Sequence, residues 1–375
     1  MSAKRPVNIE IERINRSRIY HHFLNSESLT RQQLVASTQL CLPTVTKNIE
    51  TLLSEGLIFK SGSQGHTGGR RAATYSLVPD ARVALGIDLT RNHVTVVAVD
   101  LTGTIIASVR NRVPYRKEES FYCYVGDLLS ELIRSTSLKD EQILGVGIGL
   151  PALVDSDRRH IFFSKIIDLD DALTDCFARY IPYPILLFND ANAAAFTEIW
   201  KTPDIRNSFY LMLSNNVGGS MVISKKVYSG DQQRSGEVGH MTLVPGGRPC
   251  YCGQTGCADA YLAATNLSDL TSGNLQLFFD RLASGDPVLA KIWDEYLNDL
   301  ARTVNNVHAL LDCKIILGGY MGEYLQPYLS ELRQRASGLD TFCGDGDYLQ
   351  ICSYRKESIA AGAALNLISA FISSV

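Results

Sequence analysis

Between residues 11 and 24, apolar side chains fall at Ile11, Ile14, Ile19, Phe23 and Leu24 with arginines between them, a helical rather than an alternating spacing. A second helix is expected after Ser28, with Leu29, Leu34 and Val35 as its apolar positions and Thr30 with Gln33 as a capping box. Past a short break at 37–39, Pro43 suits the first turn of a third helix, where its missing N–H costs nothing. That helix runs to about Ser54, and Gly56 stops it. Val45, Ile49, Leu52 and Leu53 make its buried stripe, which leaves Thr44, Thr46, Lys47 and Asn48 for the opposite face. Residues 57–60 and 73–77 read as two short strands joined by a glycine-rich loop that ends in Arg70 and Arg71.

Past Pro79 the pattern changes. Residues 83–88, 94–99 and 104–109 are β-branched and apolar with turn residues between them, a three-stranded meander. A helix at about 122–135 follows, then the strand I-L-G-V-G-I-G-L-P, then a strand at 185–188 that leads into Asn189-Asp190 and an alanine-rich helix. A second strand pair, 208–213 and 219–224, brackets the turn S-N-N-V-G-G. A meander, a helix and a strand, then a similar unit later, is the order of a duplicated actin-like or ribonuclease-H-like ATPase fold, whose ligands are expected in the cleft between two lobes.

Composition adds a location and a partner. The chain has 375 residues, 45% of them hydrophobic, enough for two or three domains with their own cores. Neither a signal peptide nor an apolar run of membrane-spanning length is visible, which points to the cytoplasm. The formal charge of −3 hides an asymmetry, because residues 1–80 carry ten Lys or Arg against six Asp or Glu. Three helices, a ribbon and a basic balance define a winged helix-turn-helix. Thr44, Thr46, Lys47 and Asn48 would meet the major groove, and Arg70 or Arg71 the minor groove, of operator DNA. A merely solvated helix face is the plainer reading of the first four.

Among nine cysteines, Cys250, Cys252 and Cys257 stand with His240 at the spacing H-x9-C-x-C-x4-C. One imidazole and three thiols make a closed tetrahedral set for a structural Zn2+, with no position left for substrate. The other cysteines are scattered, as reduced thiols would be.

Four segments carry a family resemblance: F-N-D-A-N-A-A-A at 188–195, S-G-E-V-G-H at 235–240, C-Y-C-G-Q-T-G-C at 250–257 and I-I-L-G-G at 315–319. Together they resemble the ROK family of sugar kinases and sugar-responsive repressors over essentially the whole chain, and the head ahead of them resembles its repressor branch. The resemblance implies a sugar site built from Asn189, Asp190, Glu237, His240 and Asp259. Carboxylates and amides suit it because each makes two directed hydrogen bonds to neighbouring hydroxyls. It implies that Asp190 is the catalytic base of a kinase, a role left vestigial in a repressor. An Asn-Asp pair ahead of a helix is also a common cap.

Departures from the kinase pattern matter as much. The family's phosphate loops resemble D-x-G-G-T-K and G-T-G-x-G-G-G, where glycines admit phosphate oxygens to the backbone N–H groups. Here the first reads D-L-T-R-N-H at 88–93, with Thr90 and Arg91 in the glycine positions. The second reads S-N-N-V-G-G-S at 214–220, and Tyr320 follows the Gly318-Gly319 of the adenosine motif. ATP binding is therefore expected to be lost. Asp259 is one methylene shorter than the family's usual glutamate, and Ser164 stands where an asparagine is usual.

The expectation is a DNA-binding domain at 1–80, a first lobe at 81–188 and a second at 189–375, with the C-terminal helix returning to the first lobe. The whole would be a sugar-responsive homodimer or tetramer that binds an operator and a sugar or sugar-phosphate effector, and is no enzyme. The alternative is an active ROK-type sugar kinase with an appended DNA-binding domain.

Overall fold

The computed structural model describes residues 6–64, 72–202, 204–342, 344–354 and 357–375. Arg70 and Arg71 lie outside them. The chain opens with α1 (Pro6–Leu24), β1 (Leu29–Thr30), α2 (Arg31–Thr38), α3 (Leu42–Ser54), β2 (Ile58–Gln64) and β3 (Ala72–Leu77). Thr30 caps α2 through the reciprocal bonds of a capping box with Gln33, and a proline stands in the first turn of α3. The strands number three here, not two, because β1 pairs with β3 and the sheet order is β1-β3-β2. Two residues are too few to show a period, so β1 had no signature of its own.

Two five-stranded sheets follow. The first is built from β4 (Val83–Leu89), β5 (Val94–Asp100), β6 (Ile105–Asn111), α4 (Glu119–Thr136), β7 (Ile143–Leu150), the short pair β8 (Leu153–Val154) and β9 (Ile161–Phe163), α5 (Leu173–Ala178) and β10 (Ile185–Asn189). Helix α6 (Asp190–Lys201) leads to the second. That one has β11 (Ser208–Leu213), β12 (Val217–Ile223), β13 (Lys226–Tyr228), the small helices α7 (Asp259–Leu262) and α8 (Thr265–Ser268), then α9 (Leu275–Ala283) and the long α10 (Pro287–Leu311). It closes with β14 (Lys314–Gly318), α11 (Met321–Leu325), α12 (Leu329–Ser337) and β15 (Leu349–Ile351), before α13 (Ser358–Ser374) ends the chain.

The strand orders are β10-β7-β4-β5-β6 and, read in the same sense, β15-β14-β11-β12-β13. Each sheet is an antiparallel meander with two parallel strands added beside its first strand. The same plan used twice is the two-lobed actin-like architecture. Each lobe has its own core: Phe121, Val125, Leu129 and Phe177 against the first sheet, Phe278, Trp293, Leu297 and Leu300 against the second.

A third core joins the parts. Ile19, Tyr20 and Phe23 of α1 and Leu34 and Ile49 of the head pack in one cluster with Ala84, Val97 and Val99 of the first sheet and Leu365, Ile368 and Ile372 of α13. The last helix thus lies on the first lobe and against the head. It also crosses α6 at van der Waals closeness, since a Cβ on Gly362 would stand 1.7 Å from the Ala193 carbonyl oxygen. Among the described residues, no helix is long and apolar enough to cross a membrane.

Candidate functional site

A cavity of about 380 Å³ opens between the lobes. Its first-lobe wall is the 151–153 turn and the loop from Phe163 to Ile166, its floor is Asn189 and Asp190, and its second-lobe wall carries Asn216, Arg234, Glu237, His240 and Tyr251. Four of the five residues implied for a sugar site, Asn189, Asp190, Glu237 and His240, are brought together here. The strand-to-helix junction does this. Asn189 ends β10 and caps α6, its Oδ1 accepting the Asn192 N–H at 3.0 Å while its amide donates to the Ala152 carbonyl at 3.3 Å. It is therefore both a cap and a cavity residue.

Asp190 accepts the Ala191 N–H at 2.8 Å. Removal from water, with Asp88 and Glu237 nearby, pushes its carboxyl up to about 7. Desolvation also raises Glu237, against the pull of His240. Asp259 departs from the sequence expectation: it is buried and does not line the cavity. Its Oδ1 accepts the Val217 N–H at 2.6 Å, which fixes the backbone of the cavity wall from behind. The shorter side chain is spent on that strand. Ser164 does line the cavity, but its hydroxyl donates to the Ile167 carbonyl at 2.6 Å.

Beside the cavity His240, Cys250, Cys252 and Cys257 converge, one ligand atom from each lying within 4.8 Å of the others, so the group could hold a metal ion. His240 faces both ways. Its Nδ1 is 3.8 Å from the Cys250 Sγ, and its Nε2 is 3.2 Å from the Tyr251 hydroxyl, which lines the cavity. Lys165, from the opposite lobe, donates to the Cys252 carbonyl at 2.9 Å.

The segments implied for nucleotide binding also come together, with Asp88 and Tyr320 near Asp190. Asp88 is buried with one carboxylate oxygen unpartnered, and burial pushes it up to about 7. Thr90 turns its hydroxyl back on His93, donating to the carbonyl and accepting the N–H, both at 3.0 Å. Tyr320 receives the Arg110 guanidinium on its hydroxyl at 3.4 Å, and its N–H donates to the Ser214 hydroxyl at 3.3 Å.

In the head, Val45, Ile49 and Leu52 are buried as expected. Lys47 is exposed and pairs with Glu12 at 2.9 Å, and Thr44 and Thr46 are half-buried. Asn48 belongs inside instead: it is only 9% exposed, and its amide donates to the Thr44 carbonyl one turn back at 2.8 Å. Lys165, Arg234 and Tyr251 went unnoticed in the sequence as cavity residues. They sit on loops without period, and only the adjacency of Ser164 and the cysteines pointed near two of them.

Two lobes of one plan with a cleft between them define the actin-like class of fold. The ROK family model matches residues 84–364, and the chain belongs to that family. The xylose repressor of Bacillus spizizenii is 27% identical over 67% of this chain and 66% of its own length, so the match spans just under two thirds of that relative. NagC of Escherichia coli, a DNA-binding transcriptional dual regulator, is 25% identical over 68% of this chain and 63% of its own. A ROK family transcriptional regulator homologous to the E. coli MLC protein superposes with a TM-score of 0.77 at 20% identity, over 97% of both chains. A Streptomyces griseus ROK glucokinase in complex with glucose and AMPPNP gives 0.63 at 22%, over 76% of this chain and 98% of its own.

Proposed function

We propose that this protein is a sugar-responsive, DNA-binding transcriptional regulator of the cytoplasm, a repressor of carbohydrate-utilisation genes. The observation that carries the reading is a basic three-helix head that shares one core with the first lobe, while that lobe forms one wall of a cleft holding amide, carboxyl and imidazole groups. The names of the repressor relatives agree with it. The head is a winged helix-turn-helix in which α3, with Thr44, Thr46 and Lys47, enters the major groove. The β2–β3 pair frames the proposed wing, with Arg70 and Arg71 as its minor-groove contacts. Since one such helix covers few base pairs, the regulator works as a homodimer or tetramer on paired half-sites.

In the cleft, Asn189, Asp190, Glu237 and His240 hold the sugar. The His240 and cysteine cluster suits a structural Zn2+. A Zn–S bond of about 2.3 Å sets tetrahedral sulfurs about 3.8 Å apart, and the Cys252 and Cys257 sulfurs stand at 3.7 Å. Bound there, the ion would supply a fixed anchor for the loop. His240 would give it Nδ1 and keep Nε2 for Tyr251 and the cavity.

A second reading, an active sugar kinase, draws on Asp190, whose carboxyl near 7 is tuned as a general base would be. The Tyr320 side chain and the self-closed Thr90 turn argue against a phosphate site. A gel-shift titration on the gene's own upstream DNA with a panel of sugars tests the first reading. Loss of every sequence-selective shift in the presence and absence of sugar would sink it.

A further inference from the structure

We propose that Arg110 is an interlobe switch: it rests on Tyr320 of the second lobe while the Asp88 carboxyl is neutral, and turns back onto Asp88 when that carboxyl is ionised, which releases the tie between the lobes. The register of the first sheet sets the reach. Asp88 of β4 stands opposite Thr95 of β5, and Thr95 stands opposite Arg110 of β6. Directly opposed residues share a face of the sheet, so Asp88 lies on the face from which Arg110 meets the second lobe. Two strand spacings, about 10 Å, separate the two backbones, a gap that an arginine and an aspartate side chain close between them.

Both groups lack the partner that each would supply to the other. Asp88 is buried, and its Oδ1 has no hydrogen-bond partner among the described residues, a state that a native fold keeps only for a reason. Arg110 is exposed and joins no ion pair among the described residues. Its hold on Tyr320 is a hydrogen bond of 3.4 Å, at the long end of the range, and a ring contact at 5.4 Å. Burial raises the Tyr320 hydroxyl to about 12, so the acceptor there is uncharged at neutral pH. A bond from a guanidinium to a carboxylate is roughly twice as strong as one to a neutral group. An ionised Asp88 therefore wins Arg110 from the tyrosine, and a protonated one does not.

The exchange falls near neutrality, because burial raises the Asp88 carboxyl to about 7 against the pull of Arg110. Few other titratable groups face it. The packed elements β7 and α13 carry none, and β5 has only Asp100, opposite Val83 at the far end of β4. Asp190 of α6 is itself raised to about 7, by burial first and then with Asp88 as one cause. His93 of the neighbouring turn is held below its usual range by burial, Arg110 and Arg112, so it stays neutral through the interval.

Nuclear magnetic resonance on the full-length protein labelled with nitrogen-15 arginine reads the guanidinium itself. The Arg110 Nε–H signal, assigned by its loss in Arg110→Lys, should move as the pH crosses about 7. Asp88→Asn should abolish the movement, and Asp190→Asn should keep it, which separates the two acids. Tyr320→Phe removes the competing acceptor and should lower the midpoint by about half to one pH unit. Hydrogen exchange in residues 318–322, corrected for its intrinsic pH dependence, should quicken above the midpoint in the wild type. It should stay slow in Asp88→Asn and be fast at every pH in Arg110→Met, a change at an exposed site that does not disturb the core. An Arg110 signal indifferent to pH, or one that still moves in Asp88→Asn, would overturn the proposal. Movement of that signal without any change in exchange would overturn the release of the lobes.

Discussion

Arg110 and Tyr320 meet across the cleft, the guanidinium 3.4 Å from the hydroxyl and 5.4 Å from the ring centroid. Arg110 belongs to β6, the edge strand of the first sheet, and Tyr320 follows β14 of the second, so the pair ties the two lobes together.

Purified protein given sugar and Mg-ATP should show no sugar-dependent hydrolysis. Tyr320→Gly alone should not restore it, because Thr90 and Arg91 still fill the first loop. Turnover at about 10 s⁻¹, ordinary for an enzyme, measured by coupled ADP release, would reinstate the kinase reading.

Asp88 rises from 3.8 to about 7 through burial, so between those values the folded chain keeps a proton that the unfolded chain has released. Its contribution to stability is full below about pH 4 and is lost as the pH climbs through 7. The loss is on the order of 4 kcal/mol at most. Urea unfolding at pH 5 and pH 8 should therefore show lower stability at the higher pH. Asp88→Asn should flatten that difference but leave the share that comes from Asp190. An unchanged slope in the variant would mean that Asp88 is ionised throughout.

Lys47→Ala should weaken DNA binding on every sequence alike and lower the slope of log affinity against log salt by about 1, as loss of one phosphate contact does. Asn48→Ala should behave differently, costing about 1 kcal/mol of head stability with base preference intact. Competition binding against operator variants separates the two, and altered base preference in Asn48→Ala would return that residue to the groove.

Metal analysis should find one zinc per chain, and a value well below one would remove the ion from the account. Cys257→Ser should lower both zinc content and sugar affinity, since His240 then loses its anchor. Sugar affinity unchanged in zinc-depleted protein would confine the metal to stability alone.

Gly362→Val should destabilise the body by about 1–3 kcal/mol or more, as overpacking does, because α6 cannot retreat from α13. Thermal melts of the variant at the wild-type Tm would contradict the close crossing.

How far the sequence could be read depended on the range of each signal. The capping box of α2 was legible because Thr30 and Gln33 are three residues apart and need no third party. The repeated meander was legible from β-branched runs. Asn48 misled because a helical pattern assigns faces by residue type, and an asparagine that returns its amide to its own helix can be covered without cost. Asp259 misled for a longer-range reason: its partner, the Val217 N–H, is 42 residues away. Lys165 and Arg234 meet one cavity only once two lobes close on it, and no local pattern records that.

Because α13 packs on α6, on the first sheet and on α1, the amino-terminal head is no ball on a string. Head and first lobe share one core, so on the proposed function a molecule held in the cleft would carry the head along with that lobe. In the proposed dimer it would alter the angle between two such pieces, and an operator would sense that angle as a distance between half-sites. Inserting single base pairs between the half-sites should therefore shift which state, sugar-bound or free, the DNA prefers.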